Sequence, residues 1–313
     1  MFKSVLQMSK NITGLRGMGL VELSRCAMST ETSPAAGVNS FKTLAVTVPK
    51  PFVYHVELNR PDRLNAMNNT MWLEIGECFS QLNHDEDCRV VVLSGAGKLF
   101  CAGIDLQDMT QMGAKLADQE DVARRCKILG ATIKSYQNSL TALEKCNKPV
   151  IGAVHGACIG GGINLIAATD IRYCTSDAWF QVKEVELGMT ADVGVLQRLP
   201  RLLGSASLVN ELCLTARKFP AAEAGATGFV SKVFEDKSKM MTEALAIAGS
   251  IAEKSPVAVQ GTKRNLVYSR DHTVQEGLDH VADWNQIMLQ SEDFINASVA
   301  LATKSPPPIF SKL

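Results

Sequence analysis

Two glycine-rich turns are the features of this sequence best suited to chemistry. The first, SGAGKLFCAGIDL, spans Ser94–Leu106, and the second, HGACIGGGINL, spans His155–Leu165. Three consecutive glycines at a helix start leave the backbone N–H groups unobstructed, and the helix dipole makes that point positive. Such a turn can bind a phosphate group or stabilise an oxyanion that develops during a reaction.

Neither turn matches a common nucleotide-binding motif. Gly95-Ala96-Gly97 lacks the third glycine of the GxGxxG fingerprint, and no lysine–serine pair follows it as in a P-loop. Taken alone, each turn is more often a packing feature than a binding site. Each one, however, follows an apolar strand-like segment, and this repeated arrangement favours a functional interpretation of the pair.

Three carboxyl groups follow the second turn. Glu184 and Glu186 lie in QVKEVELG, and Asp192 lies in TADVG, among Val, Leu, Met and Ala. Apolar surroundings raise a carboxyl pKa toward the range useful for proton transfer. The alternatives are that Glu186 is solvated and that Asp192 caps a helix beginning at Val193. For Asp192 considered alone, the capping role is slightly favoured.

The cysteines and histidines show no pattern that indicates a metal site. The nine cysteines are an odd number without a CxxC pair, which favours free thiols in a reducing compartment. The five histidines lack ligand spacing with acids or cysteines, so no metal is expected.

Composition excludes several classes of protein. The 313 residues are 46% hydrophobic and 20% charged, the profile of a globular protein. Thirty-two basic residues balance 32 acidic ones, so no global field favours nucleic acid or a membrane surface. No apolar run reaches the roughly 18 residues that a membrane span needs.

Strand-like segments alternate with helical ones in the first two thirds of the chain. The strands are predicted at Thr43–Val48, Val53–Leu58, Arg89–Leu93, Pro149–Val154, Ile171–Tyr173 and Trp179–Val182. Helical spacing covers Asn69–Leu82, Glu120–Lys145 and Gly162–Ala168, and helices dominate from Val195 onward. This order predicts an α/β core with a helical appendage.

Both chain ends resemble targeting signals. Residues 1–30 carry four basic residues against one acid and no long apolar region, which is typical of a mitochondrial presequence. The chain stops at Ser311-Lys312-Leu313, a tripeptide that peroxisomal import receptors bind, and the preceding Pro306–Pro308 should keep it extended and accessible. We therefore expect dual targeting to peroxisome and mitochondrion, with the peroxisomal signal the stronger.

Several ungapped segments identify a family resemblance. AGIDL, HGACIGGGINL, DIRYC, FQVKEVELG and ADVGVLQRLP resemble the crotonase (enoyl-CoA hydratase/isomerase) superfamily, and within it the Δ3,5-Δ2,4-dienoyl-CoA isomerases. The resemblance covers about Phe41–Leu301. It implies an α/β fold, the ClpP-like crotonase spiral of repeated ββα units with a C-terminal helical region, and trimers that often pair into hexamers. The boundaries expected are 1–40 for the presequence, 41–255 for the core, 256–303 for the helical region and 304–313 for the tail.

The resemblance also implies a site for an acyl-CoA thioester. The backbone N–H groups of Ile104 and Gly161 would form the oxyanion hole, and Glu184 and Asp192 would be the two proton-transfer acids. Proton loss at C2 of a 3,5-dienoyl-CoA and reprotonation at C6 would give the 2,4-dienoyl-CoA. CoA is part of this substrate, and no metal or redox cofactor is required. The residues implied to line the acyl-CoA are Ala102, Gly103, Ile104, Asp105, Leu106 and Gly161.

One catalytic position departs from the family pattern. The family's third acid falls at Asn164, which keeps the shape of an aspartate but loses its negative charge. Hydratases carry a glutamate there, so its absence argues against water addition. The alternatives to a dienoyl isomerase are a Δ3-Δ2-enoyl-CoA isomerase, which needs only Glu184, and a catalytically weak acyl-CoA-binding homologue.

Other candidate residues are interpreted without a catalytic role. The Arg60–Arg63 cluster and Lys98 are predicted to be solvated, although either position could lie near CoA phosphates. Met109–Met112 is predicted to belong to a mobile loop over the acyl pocket.

Overall fold

The computed structural model describes Ser33–Pro34 and residues 40–313. The presequence expected in residues 1–30 lies outside the described residues. The strands of the described part are β1 (Ser33–Pro34), β2 (Leu44–Lys50), β3 (Val53–Leu58), β4 (Val90–Gly95), β5 (Val150–Val154), β6 (Ala157–Ile159), β7 (Ile171–Thr175), β8 (Trp179–Gln181), β9 (Phe219–Pro220) and β10 (Lys232–Phe234).

The strands form two sheets. The larger sheet has seven strands in the order β1-β2-β3-β4-β5-β7-β10, antiparallel from β1 to β3 and parallel from β3 to β10. The smaller sheet has the order β6-β8-β9, and β6 pairs with β8 in parallel. Strands β5 and β7 of the large sheet are each followed by a strand of the small one, β6 and β8. This succession is the repeated unit of the predicted spiral, so the fold class is confirmed.

Helices cover the sheets and the C-terminal part of the chain. They are α1 (Asn69–His84), α2 (Leu106–Ala117), α3 (Val122–Lys145), α4 (Gly161–Ala167), α5 (Val195–Leu202), α6 (Ala206–Thr215), α7 (Ala221–Ala226), α8 (Lys237–Ala252), α9 (Pro256–Tyr268), α10 (Val274–Met288) and α11 (Glu292–Thr303). Two short 3-10 helices cover Pro61–Arg63 and Glu184–Leu187. None of the described helices is both long enough and apolar enough to cross a membrane.

The continuously apolar sequence of β4 is explained by the burial of both faces of this strand. Val91 and Leu93 face one hydrophobic cluster, which also contains the buried face of α1. Val90 and Val92 face a second cluster, where α8 contributes Met240 and three alanines at four-residue spacing. A parallel strand buried on both faces needs apolar residues at every position. The sheet therefore fixes the end of β4, from which the first glycine-rich turn departs.

The segment after the first turn differs from its prediction. Met109–Met112 was predicted to be a mobile loop, and this prediction is wrong because the residues lie inside α2. The Asp105 side chain begins this helix by accepting hydrogen bonds from the N–H groups of Gln107 and Asp108, at 3.1 and 3.4 Å. An N-cap of this kind typically stabilises a helix by about 1 kcal/mol.

The C-terminal tail is extended, as predicted, but its end is not free. Arg89 Nη2 donates to the carbonyl oxygens of Phe310 and Ser311 at 2.7 and 3.2 Å. Lys148, which is only 2% exposed, donates from Nζ to a terminal oxygen of Leu313 at 3.1 Å. Residues 311–313 are exposed, as predicted, although main-chain oxygens of Phe310, Ser311 and Leu313 accept hydrogen bonds from Arg89 and Lys148.

Candidate active site

The two glycine-rich turns lie side by side. Cys101 N–H donates to Ala157 O at 3.0 Å, and Ile159 N–H donates to Cys101 O at 3.0 Å, so the turns are joined as short parallel strands. Gly103 follows with a φ of +96°, a backbone conformation that a side chain would strain. The equivalent strand–turn positions predicted from the sequence are therefore neighbours in the fold.

Each turn presents one free backbone N–H group. Met67 accepts from Asp105 N–H at 3.1 Å and donates to Gly103 O at 2.7 Å, which fixes the peptide groups on both sides of Ile104. Gly161 is the first residue of α4, where an N–H group has no partner within the helix. Within residues 40–313, the N–H groups of Ile104 and Gly161 have no acceptor. Two such donors on adjacent turns can stabilise one oxyanion.

Met67 also defines the space beneath the second turn. A Cβ atom built on Gly161 would approach Met67 Sδ at 2.8 Å and the Trp72 ring at 3.0 Å. The glycine is therefore required by packing as well as by access to its N–H group. Nothing in the local sequence around Met67 indicated this role, because Met67 reaches the turns only through the fold.

Glu184 lies next to these turns. It begins the 3-10 helix that follows β8, and Gly160 N–H ties the second turn to β8 through a 2.9 Å bond to Gln181 O. The Glu184 side chain is buried, with 7% exposure. Its Oε1 accepts from Asn164 Nδ2 at 2.8 Å, whereas Oε2 is buried without a hydrogen-bond partner in the described part of the chain. Oε2 is thus the oxygen available for proton transfer.

Asn164 holds Glu184 through a fully satisfied amide. Its Nδ2 also donates to Gly160 O at 2.9 Å, and its Oδ1 accepts from Val195 N–H at 2.6 Å. These bonds connect the second turn, the carboxylate and the start of α5. An ionised aspartate could not donate to Glu184, so the amide supplies a bond that its charged isostere could not.

Asp192 does not cap a helix. Helix α5 begins at Val195 with Gly194 as its N-cap, and no side chain accepts from its first turn except that of Asn164. The capping interpretation is therefore wrong. Asp192 is half-buried, and its backbone O accepts from Gln137 Nε2 at 2.7 Å. Its carboxyl group remains available for chemistry.

Burial and charge shift the pKa values of both acids in the same direction. Burial raises the pKa of Glu184, and the negative charge of Asp192 raises it further, while the hydrogen bond from Asn164 lowers it. Burial also raises the pKa of Asp192. Two neighbouring carboxyl groups with raised pKa values can exchange protons with carbon acids more readily than ordinary surface carboxylates.

The remaining predicted residues divide between the site and its support. Leu106 is exposed at the start of α2, and Ala102 and Ile104 are half-buried beside it. Asp105 is buried, with its carboxylate occupied by the α2 cap and by Arg60. Glu186 is exposed and pairs with Lys183 at 2.6 Å, so the prediction that it is solvated is confirmed.

Arg60 departs from its prediction. It was predicted to be solvated, but its side chain is only 17% exposed and contacts Asp105 at 3.0 Å. The prediction for Arg60 is therefore wrong, whereas Lys98 is exposed as expected. Among the residues that the structure covers, no three His, Cys, Asp or Glu side chains are grouped as metal ligands.

The fold and the paired turns correspond to one family. The family model described as enoyl-CoA hydratase/isomerase matches residues 50–308, and the chain belongs to this family. The solved structure of an enoyl-CoA hydratase from Bacillus anthracis aligns with a TM-score of 0.77 at 28% identity, covering 85% of this chain and 98% of that one.

Relatives with higher identity have a more specific name. The mitochondrial Δ3,5-Δ2,4-dienoyl-CoA isomerase of Rattus norvegicus is 53% identical over 277 residues, covering 88% of this chain and 84% of the relative. The peroxisomal Δ3,5-Δ2,4-dienoyl-CoA isomerase of Arabidopsis thaliana is 46% identical over 278 residues, covering 88% of this chain and 99% of the relative.

Proposed function

We propose that this protein isomerises 3,5-dienoyl-CoA to 2,4-dienoyl-CoA in the β-oxidation of unsaturated fatty acids. The observation that carries the proposal is Glu184 beside the second turn and its free N–H group, with Asp192 close enough to raise the pKa of Glu184 by its charge. A reaction that moves a proton along a conjugated chain needs an acid or base at each end of it. The identity of about 50% to named dienoyl-CoA isomerases supports the same reaction.

The chemistry proceeds through an enolate. The N–H groups of Ile104 and Gly161 bind the thioester oxygen, and one of the two carboxylates removes a proton from C2. The electron pair of the broken C–H bond delocalises over the thioester and both double bonds, and the oxygen carries much of the charge. The other acid then donates a proton to C6, which leaves double bonds at C2 and C4.

No external redox agent enters this scheme. One C–H bond breaks and one forms, so the substrate is neither oxidised nor reduced. We propose that CoA acts only as part of the substrate and that neither a metal nor a redox cofactor participates. The ion that a Lewis acid would stabilise is instead stabilised by the two backbone donors.

Substitution of Asp192 tests the assignment. Asp192→Ala should abolish formation of the 2,4-dienoyl chromophore from 3,5-octadienoyl-CoA, with a loss of about 10²–10⁴ in rate. Any Δ3-Δ2-enoyl isomerisation, which needs only Glu184, should persist. The increase in ultraviolet absorbance of the conjugated product measures the first reaction, and a coupled assay on a 3-enoyl-CoA measures the second.

Glu186→Gln is the matched control. This carboxylate lies two residues from Glu184 but is exposed, so its loss should leave both rates unchanged. Full dienoyl isomerisation by Asp192→Ala would refute the two-acid mechanism. Turnover of 3-enoyl-CoA alone by the unmodified protein would favour an enoyl isomerase, and the absence of any turnover would favour an acyl-CoA-binding homologue.

We also propose dual targeting and self-association. Relatives are named mitochondrial and peroxisomal, and this chain has basic residues near its start and SKL at its end. Imaging of the protein with a tag on one end or the other tests the two targeting signals separately, and a cytosolic location of both tagged proteins would refute them.

Exposed apolar residues on α10 and α11, among them Val274 and Leu301, support self-association into trimers or hexamers, which light scattering would detect.

A further inference from the structure

Arg60 is a half-buried charge beside the first turn that the mechanism does not use. Its Nη1 donates to the Asp105 carboxylate at 3.0 Å and also to the carbonyl oxygen of Ala66. The side chains of Arg60 and Asp105 are 17% and 7% exposed, so both charges are largely removed from water. A buried ion pair of this kind costs desolvation energy, and breaking it leaves an uncompensated charge.

The partner of Arg60 lies directly after an oxyanion-hole residue. Asp105 follows Ile104, and its N–H donates to Met67 O, while Gly103 O accepts from Met67 N–H. The Asp105 carboxylate also accepts from two N–H groups of α2. The direction of the Ile104 N–H bond therefore depends on how firmly Asp105 and the 66–67 segment are held.

Arg60 holds both of these parts. Its guanidinium joins the Asp105 side chain to the Ala66 carbonyl, which immediately precedes Met67. The Arg60 backbone N–H donates to Asn65 Oδ1 at 2.9 Å, and Asn65 Nδ2 donates to Ala96 O at 2.8 Å in the first turn. Ile104 is thus fixed from both sides by one connected network.

We propose that Arg60 is a positioning residue that aims the Ile104 N–H group at the thioester oxygen. The inference rests on the proposed function in one respect, namely that this amide serves as an oxyanion donor. Burial raises the pKa of Asp105, but the hydrogen bond from Arg60 and those from the α2 amides keep it below its usual value. The hydrogen bond from Arg60 therefore favours the ionised carboxylate, and the cap and the ion pair act together.

Arg63 provides a matched control on the same turn. It carries the same charge and lies 3.9 Å from the other Asp105 oxygen, but its side chain is 52% exposed. Its 2.7 Å hydrogen bond goes to Gln107 Oε1, away from the 66–67 segment. Loss of Arg63 removes a nearby positive charge without releasing Ala66 or Met67.

Steady-state kinetics on 3,5-octadienoyl-CoA should separate the two arginines. Arg60→Ala should lower kcat by about 10- to 100-fold with a KM change below about threefold, since a misplaced donor costs more in the transition state than in the bound ground state. Arg63→Ala should stay within about twofold of the unmodified protein in both parameters. Arg60→Lys, which keeps the charge but places its nitrogen differently from Nη1, should recover part of kcat.

The carbonyl stretch of bound 2,4-dienoyl-CoA gives a readout that a merely structural role would not change. Oxyanion-hole donors polarise the thioester carbonyl and lower its frequency, and difference Raman spectroscopy detects this shift only in molecules that bind the ligand. Arg60→Ala should move the band toward the free value, and Arg63→Ala should not.

Two results would overturn the inference. One is an Arg60→Ala variant with unaltered kcat, and the other is an unaltered carbonyl band in Arg60→Ala or, if that variant does not fold, in Arg60→Lys. Lack of turnover by the unmodified protein would instead refute the proposed function. The band shift on ligand binding would still test the positioning of Ile104 in that case.

Discussion

At the residue scale, the proposed mechanism depends on the hydrogen-bonded pair Glu184–Asn164. Asn164 donates to one oxygen of Glu184 and leaves the other without a partner. This arrangement favours an ionised Glu184 more than a second acid at position 164 would. In the proposed mechanism, the unpartnered Oε2 is therefore the Glu184 oxygen that would exchange a proton with the substrate.

Asn164→Asp should move the pH dependence of kcat/KM. A second carboxyl group 2.8 Å from Glu184 would share a proton with it and raise the pKa for ionisation of the pair. Because the base must be ionised, activity on the acidic side should fall at a higher pH than in the unmodified protein. If Glu184 is the group that removes the C2 proton, the rate at the optimum should also rise, since a stronger base removes that proton more readily.

A pH–rate profile on 3,5-octadienoyl-CoA measures both effects. Asn83→Asp is a suitable control because Asn83 accepts from Asn147 N–H, away from the acids. If the pH–rate profile of Asn164→Asp overlays that of the unmodified protein, a charge at position 164 does not control the ionisation of Glu184.

The sequence indicates the candidate acids but not the residues that hold the site in place. Glu184 and Asp192 stood out as candidates because they lie among apolar neighbours, and the family resemblance supplied the role that is proposed for them. The burial of Arg60 could not be predicted, because its partner lies 45 residues away and only the fold joins them. The Asp192 cap failed as a prediction because Gly194 takes the N-cap position in its place.

At the scale of elements, the predicted strands and helices agree with the structure where burial requires apolar residues at regular spacing. The two-sided burial of β4 and the apolar face of α1 leave continuous or periodic patterns that the sequence displays. Helix α2 has apolar residues at helical spacing, Met109, Met112 and Leu116, but they are only half-buried and interspersed with Gly113 and polar residues, so the segment was predicted to be a loop. Strands β6, β9 and β10 have two or three residues each and exist only through pairing with distant strands.

The start of α4 shows how tightly an element can constrain the site. Gly161→Ala should reduce kcat by at least about 10-fold, because its Cβ would lie 2.8 Å from Met67 Sδ and displace the N–H group of the second turn. Gly113→Ala is the control, since a Cβ there meets nothing within 4 Å. That variant should keep its activity and gain about 0.5–1 kcal/mol in α2 stability.

Kinetics and thermal unfolding of the two glycine variants separate packing from catalysis. Gly161→Ala should lose activity even at temperatures where the protein is fully folded. An unchanged kcat in Gly161→Ala would show that activity does not depend on the exact position of the Gly161 N–H group. That result would refute its proposed role in the oxyanion hole.

At the scale of the whole molecule, the docked tail contributes to stability. Deletion of Ser311–Leu313 would leave the buried Lys148 ammonium without its carboxylate partner, at a cost of about 1–3 kcal/mol. Thermal unfolding should show a Tm lower by several degrees. Lys312→Ala should change Tm little, because its 2.5 Å pair with Asp87 is exposed. Equal Tm values for the deletion and the intact chain would show that the docked tail does not stabilise the fold.

The anchored carboxyl terminus has a consequence for transport. A receptor that reads a C-terminal tripeptide must bind its main chain and its terminal carboxylate, and in the folded protein Arg89 and Lys148 already occupy those atoms. If the proposed import signal is used, its receptor would have to compete with Arg89 and Lys148 for these main-chain oxygens in the folded protein.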